Sequence, residues 1–264
     1  MKILFDVGGT RTRVALADDP DFRNAVVFET PKNYEEGIAT LVSQIKTISN
    51  NQYIDKLVGG LPGPIDKQNG MLRNAPNLKD WVEKPVTQRL EEICSTPTII
   101  LENDAALAGL GEAVYGAAKG HAIVAYITVS TGVGGARIVN AKIDENFLGF
   151  EPGHQIIKDN QTLENLVSGT AIRSRHGKAA SEISSDSVWD EIAKNLAIGL
   201  NNTIVHWSPN IVVIGGAVSQ KIPFQRLNSY LSDLVTIYPE IPEVVPTQLK
   251  DLSGLYGAMV LAQD

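Results

Sequence analysis

The chain has 264 residues, 43% of them hydrophobic and 20% charged, with a formal net charge of −7. That is enough apolar chain to bury one large core or two smaller ones, while the acidic balance argues against nucleic acid as a partner. No run approaches the roughly 18 apolar residues of a membrane span, so no membrane partner is expected.

The first residues are predicted to enter a strand directly, so no secretory signal is expected, and the single cysteine, Cys94, has no internal disulfide partner. Both fit a cytoplasmic protein. The opening stretch reads MKILFDVGGTRTRVALAD. Ile3, Leu4 and Phe5 form one strand. In the second, Thr10, Thr12, Val14 and Leu16 fall on one face and Arg11, Arg13 and Ala15 on the other, a period of two. Gly8-Gly9 is therefore predicted to be a hairpin tip, where positive φ costs glycine little. The chain lacks both the G-x-G-x-x-G spacing of dinucleotide folds and the P-loop pattern. A glycine tip can still nest an anion on its backbone N–H groups, with hydroxyls from Thr10 and Thr12 and a cation from Arg11. Asp6 beside phosphates makes sense if Mg²⁺ lies between them, directly or through water. The plainer alternative is a simple hairpin with Asp6 as a turn residue.

A helix is predicted over about 33–50 and then a strand into VGGLPGPID. A loop RNAPNLKDW follows, and a strand TIILEND runs into AALAGLGEA. A second strand–glycine tip–strand unit spans Ile123–Val129, Ser130–Gly135 and Ala136–Ile143. Its tip offers Ser130, Thr131, Gly132 and Gly134. A long helix is expected over about 186–206, with Val188, Trp189, Ile192, Leu196, Leu200 and Ile204 at helical spacing. An apolar strand, Ile211–Ile214, ends in Gly215-Gly216, and LSGLYGAMVLA closes the chain as another helix. Two hairpins of matching design imply an internal duplication. A phosphate chain would be clamped between the halves, with Gly215-Gly216 beneath an adenosine. The expected class is α/β, two domains around a cleft.

The segments DVGGTRTR, GLPGPID, NAPNLKDW, ENDAALAGLGE, STGVGGARI, EPGH, LENLVSGTAI and NIVVIGGAVS, in that order, resemble the ROK sugar kinases and repressors. The resemblance runs from residue 2 to about residue 262. It implies the two-domain actin-like (ribonuclease H-like) ATPase fold with an interdomain cleft. Residues 1–118, joined by the C-terminal helix 254–264, would form one domain and residues 119–253 the other. The implied activity is ATP- and Mg²⁺-dependent phosphorylation of a hexose or N-acyl hexosamine hydroxyl, glucose first among them. A homodimer is among the assemblies implied. ROK repressors carry a helix-turn-helix domain ahead of this body; a hairpin beginning at residue 2 favours the kinase branch. The alternative is a non-catalytic, sugar-sensing regulator that keeps the fold.

Asp104, at the end of an apolar strand and before a helix, reads by position alone first as a helix N-cap; the resemblance makes it the expected catalytic base. Asn103 offers a donor and an acceptor to a sugar hydroxyl. The resemblance assigns Gly63 and Asn77 to the sugar side of the first domain, and Glu151, His154 and Glu164 to sugar hydroxyls. Without it, the two glutamates read as solvated acids and His154 as a core histidine.

Three departures from the family pattern stand out. Many members follow Gly-His with a cysteine-rich zinc loop. Here QIIKDNQT holds no cysteine, so no zinc site is expected, and the loop 155–162 needs another source of order. Arg11 stands where lysine is usual, a forked cation in place of a compact one, and Pro152 replaces a flexible or aliphatic residue, an exchange expected either to stiffen the loop or to alter sugar preference.

Overall fold

The computed structural model describes residues 1–263. The chain divides into two compact units. Unit 1 comprises Met1–Gly111, Asn146–Gly149 and the segment from Leu252 onward; unit 2 comprises Glu112–Glu145 and Phe150–Asp251.

Unit 1 holds β1 (Lys2–Val7), β2 (Arg11–Leu16), β3 (Val26–Glu29), β4 (Lys56–Leu61), a small ribbon of β5 (Ile65–Asp66) and β6 (Met71–Leu72), and β7 (Ile99–Asn103). Its sheet runs β3-β2-β1-β4-β7. β1 pairs antiparallel with β2 and parallel with β4. Helix α1 (Tyr34–Ile48) starts where the Asn33 side chain accepts from the Glu36 N–H at 3.0 Å, with two glutamates in its first turn. Its buried stripe of Ile38, Leu41, Val42 and Ile45 joins Ile3, Phe5, Leu57 and Trp81 in one core. Helices α2 (Val86–Cys94) and α3 (Asp104–Val114) follow, and the C-terminal helix (Ser253–Gln263) packs on β1 and β4. Because helices cover both faces of this sheet, Ile3, Leu4 and Phe5 are all fully buried.

Unit 2 repeats the plan. It contains β8 (Ile123–Val129), β9 (Val133–Val139), β10 (Lys142–Ile143), a ribbon of β11 (Ile156–Lys158) and β12 (Gln161–Thr162), β13 (Ile211–Gly215) and β14 (Glu243–Pro246). The main sheet runs β10-β9-β8-β13-β14. As in unit 1, the central strand has an antiparallel neighbour on one side and parallel strands on the other. Identical order and sense in two sheets is the duplication anticipated from the paired hairpins. Helices α4 (Leu163–Val167), α5 (Gly169–His176), α6 (Asp186–Trp207) and α7 (Phe224–Leu234) complete the unit. The α6 residues Trp189, Ile192, Leu196, Leu200 and Ile204 bury against Ala125, Ile127, Val212 and Ile214. Each large apolar side chain so buried contributes roughly 1.5–3 kcal/mol.

Two local expectations need correction. The second glycine tip is shorter than Ser130–Gly135. The Ser130 N–H bonds the Gly132 carbonyl at 2.8 Å, which closes the turn at once, so Gly134 and Gly135 already pair with Thr128 and Ile127. The strand expected over Ala136–Ile143 is two strands. Asn140 and Ala141, at φ 50° and 57°, make a two-residue turn between β9 and β10.

Candidate active site

In unit 1, Asp6 lies near the end of β1, opposite Gly60 of β4 and Arg13 of β2. Its carboxylate lies against two positions that have no side chain. A Cβ on Gly60 would come within 3.2 Å of Asp6 Oδ1, and one on Gly254 within 2.8 Å of Oδ2. Gly254 belongs to the first turn of the C-terminal helix, whose dipole favours a negative charge there. The same Gly60 Cβ would lie 3.4 Å from Asp104 Cα, which brings the two aspartates to one glycine.

The hairpin tip differs from expectation. Gly8 and Gly9 are absent from the positive-φ residues. Their small size serves close approach instead: a Cβ on Gly9 would meet Asn77 Cβ at 2.9 Å, and one on Gly8 the Arg11 carbonyl at 3.0 Å. Lys32 Nζ donates to both the Gly9 and Asn77 carbonyls, tying the tip to the loop that carries Asn77. Thr10 and Arg11 are exposed at the tip. Thr12 is only 2% exposed, and its hydroxyl bonds the Thr30 hydroxyl at 2.9 Å, which in turn donates to the Gly8 carbonyl at 2.8 Å. Thr12 therefore braces the tip from within. Sequence reasoning missed Thr30 and Lys32; the signal available was their place in ETPKN, a loop following an edge strand.

Asn103 supplies the cap that position alone had offered to Asp104. Its Oδ1 accepts from the Ala106 N–H at 3.0 Å, and its Nδ2 donates to the Gly63 carbonyl at 3.0 Å. Gly63 has φ +103°, and a Cβ there would lie 2.2 Å from the Asn74 carbonyl oxygen. Asp104 is the first residue of α3, half-buried, with Oδ1 accepting from the Ala105 N–H at 2.8 Å. A carboxylate on the first turn of a helix is rigidly aimed and dipole-stabilised.

In unit 2, the tip Ser130–Gly132 is gripped by α5. The Gly169 N–H bonds the Ser130 carbonyl at 2.7 Å, and Thr170 donates to the Thr131 carbonyl through its hydroxyl at 2.8 Å. Thr131 itself is exposed. Gly216, at φ +88°, lies so close to the Val129 carbonyl that a Cβ would stand 2.4 Å from it, whereas Gly215 is buried against Tyr126. Gly132, Gly216 and the start of α5 thus meet at one end of the sheet, while Gly134 belongs to the β9 ladder.

Glu164 also reaches this tip: its Oε2 accepts from the Val133 N–H at 2.8 Å and would clash with any Cβ on Gly132. It is not a solvated surface acid. Glu151, Pro152, Gly153 and His154 form a tight turn over β9, with Pro152 buried against Gly135. Burial raises the Glu151 pKa above that of an ordinary glutamate; nearby His154 opposes the shift and Glu164 adds to it. The three groups expected to meet a sugar are therefore electrostatic neighbours. His154 is exposed rather than a core histidine.

The donor set does not fit a structural zinc. His154 has no cysteine near it, Cys94 belongs to α2 of the other unit, and among the described residues no cluster of three or more His, Cys, Asp or Glu could hold a metal. Magnesium asks less of a protein, one or two carboxylates together with phosphate oxygens and water. The cradled Asp6 carboxylate fits that demand. Among the described residues no helix is long and apolar enough to cross a membrane.

The glucokinase of Thermotoga maritima is 28% identical to this chain, the alignment covering 98% of the chain and 96% of that protein. A ROK hexokinase from Thermus thermophilus has a similar structure, with a TM-score of 0.82 at 26% identity over 98% of this chain and 96% of that one. A ROK family glucokinase from Streptomyces griseus, solved with glucose and AMPPNP, shares the fold with a TM-score of 0.85 at 22% identity, covering 100% and 99%. The sequence model of the ROK family matches residues 3–264. Matched over almost its whole length, this chain belongs to the ROK family and has its actin-like ATPase fold.

Proposed function

We propose that this chain is an ATP- and Mg²⁺-dependent kinase that phosphorylates a hydroxyl of a hexose or N-acyl hexosamine, glucose first among them, with Asp104 as the base. The observation that carries the reading is the anchoring of Asp104. Its carboxylate stands on the first turn of α3, held by the Ala105 N–H, and Asn103 caps that turn while fixing the Gly63 carbonyl.

Phosphoryl transfer asks the protein mainly for positioning and charge stabilisation. In unit 1, the backbone N–H groups at Gly9 and Thr10, with the Thr10 hydroxyl and Arg11, bind phosphate oxygens; the Gly8 N–H closes the hairpin on the Arg11 carbonyl at 2.9 Å, and Thr12 with Thr30 keeps that tip in shape. In unit 2, Thr131, Gly132 and Gly216 serve the nucleotide, with Gly134 and Gly215 shaping the strands that carry them. Asp6 would hold Mg²⁺, directly or through water, and the ion would neutralise charge on the phosphates. Gly63, Asn77, Asn103, Glu151, His154 and Glu164 orient the sugar. Asp104 accepts the proton of the attacking hydroxyl as its oxygen bonds to phosphorus, and ADP leaves.

Carboxylates that only accept discriminate well among polyols, because an epimer leaves one acceptor unpaired. A coupled ADP-release assay over a panel of hexoses and hexosamines tests the reading. Turnover with one or a few sugars supports it. Sugar binding without turnover would favour a sensor, and ATP hydrolysis indifferent to sugar would remove the acceptor assignment.

A further inference from the structure

We propose that Gln155 is a positioning residue for sugar recognition, its side chain tying the turn of Glu151 and His154 to α6. The inference rests on the reading of Glu151, His154 and Glu164 as sugar-binding.

Gln155 follows His154 directly, and both ends of its amide are engaged. Nε2 donates to the Pro152 carbonyl at 2.8 Å and to the Gly199 carbonyl of α6 at 3.3 Å. Oε1 accepts from Asn202 Nδ2 at 2.9 Å, and Asn202 is itself oriented by the Asn201 amide at 3.2 Å. A flipped amide would set oxygen against two carbonyls, so the network fixes which end is which. The backbone of the same residue reaches the third sugar group. The Gln155 carbonyl accepts from the Leu163 N–H at 2.9 Å, one residue before Glu164. One residue therefore links the Glu151–His154 turn, the start of α4 and the long α6.

The intervening segment is ordered without metal ligands. β11 and β12 form a ribbon turned by Asp159 and Asn160, at φ 43° and 64°, the pair of positive values that a two-residue hairpin turn requires. Thr162 and Asn165 then close a capping box on α4, each bonding the other's backbone N–H at 3.2 Å. Gln155 joins that ribbon to the helix beneath. It holds Glu151 in its buried setting, which keeps the carboxyl poorly solvated.

Steady-state kinetics with glucose, or the hexose of highest kcat/KM in the panel, tests this at saturating MgATP. Gln155→Ala is expected to raise the sugar KM about tenfold, the scale of sub-ångström misplacement of a binding group. kcat and the ATP KM should stay within about threefold. Asn202→Ala, which removes one bond of the three and serves if Gln155→Ala does not fold, should raise the sugar KM in the same direction. The double variant should fall close to Gln155→Ala, because the two act as a unit. The acid limb of the KM–pH profile should move to lower pH in Gln155→Ala as Glu151 becomes better solvated.

A sugar KM within twofold of wild type in Gln155→Ala, or a proportional loss of kcat with both KM values unchanged, overturns the proposal. So does a rise in the wild-type sugar KM on zinc chelation. Glu151→Gln separates this failure from failure of the underlying reading: if it leaves the sugar KM unchanged, the sugar role of Glu151 falls whatever Gln155 does.

Discussion

Gly254→Ala tests the cradle around Asp6. The new Cβ would lie 2.9 Å from the Asp6 carboxylate carbon and 2.8 Å from Oδ2, whereas ordinary contact begins near 3.4 Å. The carboxylate must therefore retreat by about 0.6 Å, the difference between 3.4 Å and the 2.8 Å to its nearest oxygen. Magnesium holds its ligands at about 2.0–2.1 Å in near-ideal octahedral geometry, so such a shift strains or breaks contact with the ion or its water. A misplacement of about 1 Å costs about a hundredfold in rate, so a little over half of that implies about tenfold in kcat/KM. The defect should be concentrated in the metal requirement, with the Mg²⁺ concentration for half-maximal rate rising as well. Stability should change little, because alanine in a helix gains up to about 1 kcal/mol over glycine and offsets part of the crowding. The assay is initial rate against free Mg²⁺ at fixed ATP, beside a thermal melt, with Asp6→Ala as the limiting case. A tenfold rate loss with an unchanged Mg²⁺ curve would refute Asp6 as the metal residue; wild-type rates would refute the cradle.

Other consequences reach into the core and the pH profile. Tyr34 is 4% exposed, its hydroxyl has no hydrogen-bond partner among the described residues, and burial pushes its pKa up to about 12. Tyr34→Phe keeps the edge-to-face contact with Trp81 at 5.6 Å and removes an unsatisfied polar group. It should stabilise the protein by about 1 kcal/mol in urea titrations; a loss of that size would mean that the hydroxyl is satisfied. On the proposal that Glu151 binds sugar as the anion, its raised pKa means that sugar affinity should fall with decreasing pH sooner than for an ordinary glutamate. The linked stability effect has the opposite benefit. A raised carboxyl pKa costs stability above that pKa and nothing below the unfolded value. Glu151→Gln should therefore weaken sugar binding while raising the urea midpoint at pH 8, with the gain vanishing below about pH 4. A gain that persists in acid would place its origin elsewhere.

How far the sequence was legible depended on the range of the interaction. The period-two alternation around Gly8-Gly9 and the helical spacing from Val188 to Ile204 are set by local burial, and both elements appear where expected. The strand-to-helix junction at Asn103-Asp104 was readable too, but the pattern offered the cap to Asp104 while Asn103 makes it. The roles that escaped depend on partners distant in sequence. Nothing near Thr12 announces the Thr30 hydroxyl, and Gly9 is small because of Asn77 rather than because of its own φ. Asn140-Ala141 carries no glycine, so its turn was hidden inside an apparent strand. Gln155 looked like filler in QIIKDNQT because its partners, Gly199 and Asn202, lie on a helix more than forty residues away.

Asp104→Asn measures the central claim most directly, because it removes the proton acceptor while keeping size and most hydrogen bonding. With turnover followed by ADP release and sugar affinity by calorimetry on the same preparation, kcat should drop by about 10²–10⁴ with the sugar Kd nearly unchanged. Turnover within a few-fold of wild type would contradict the assignment of the base.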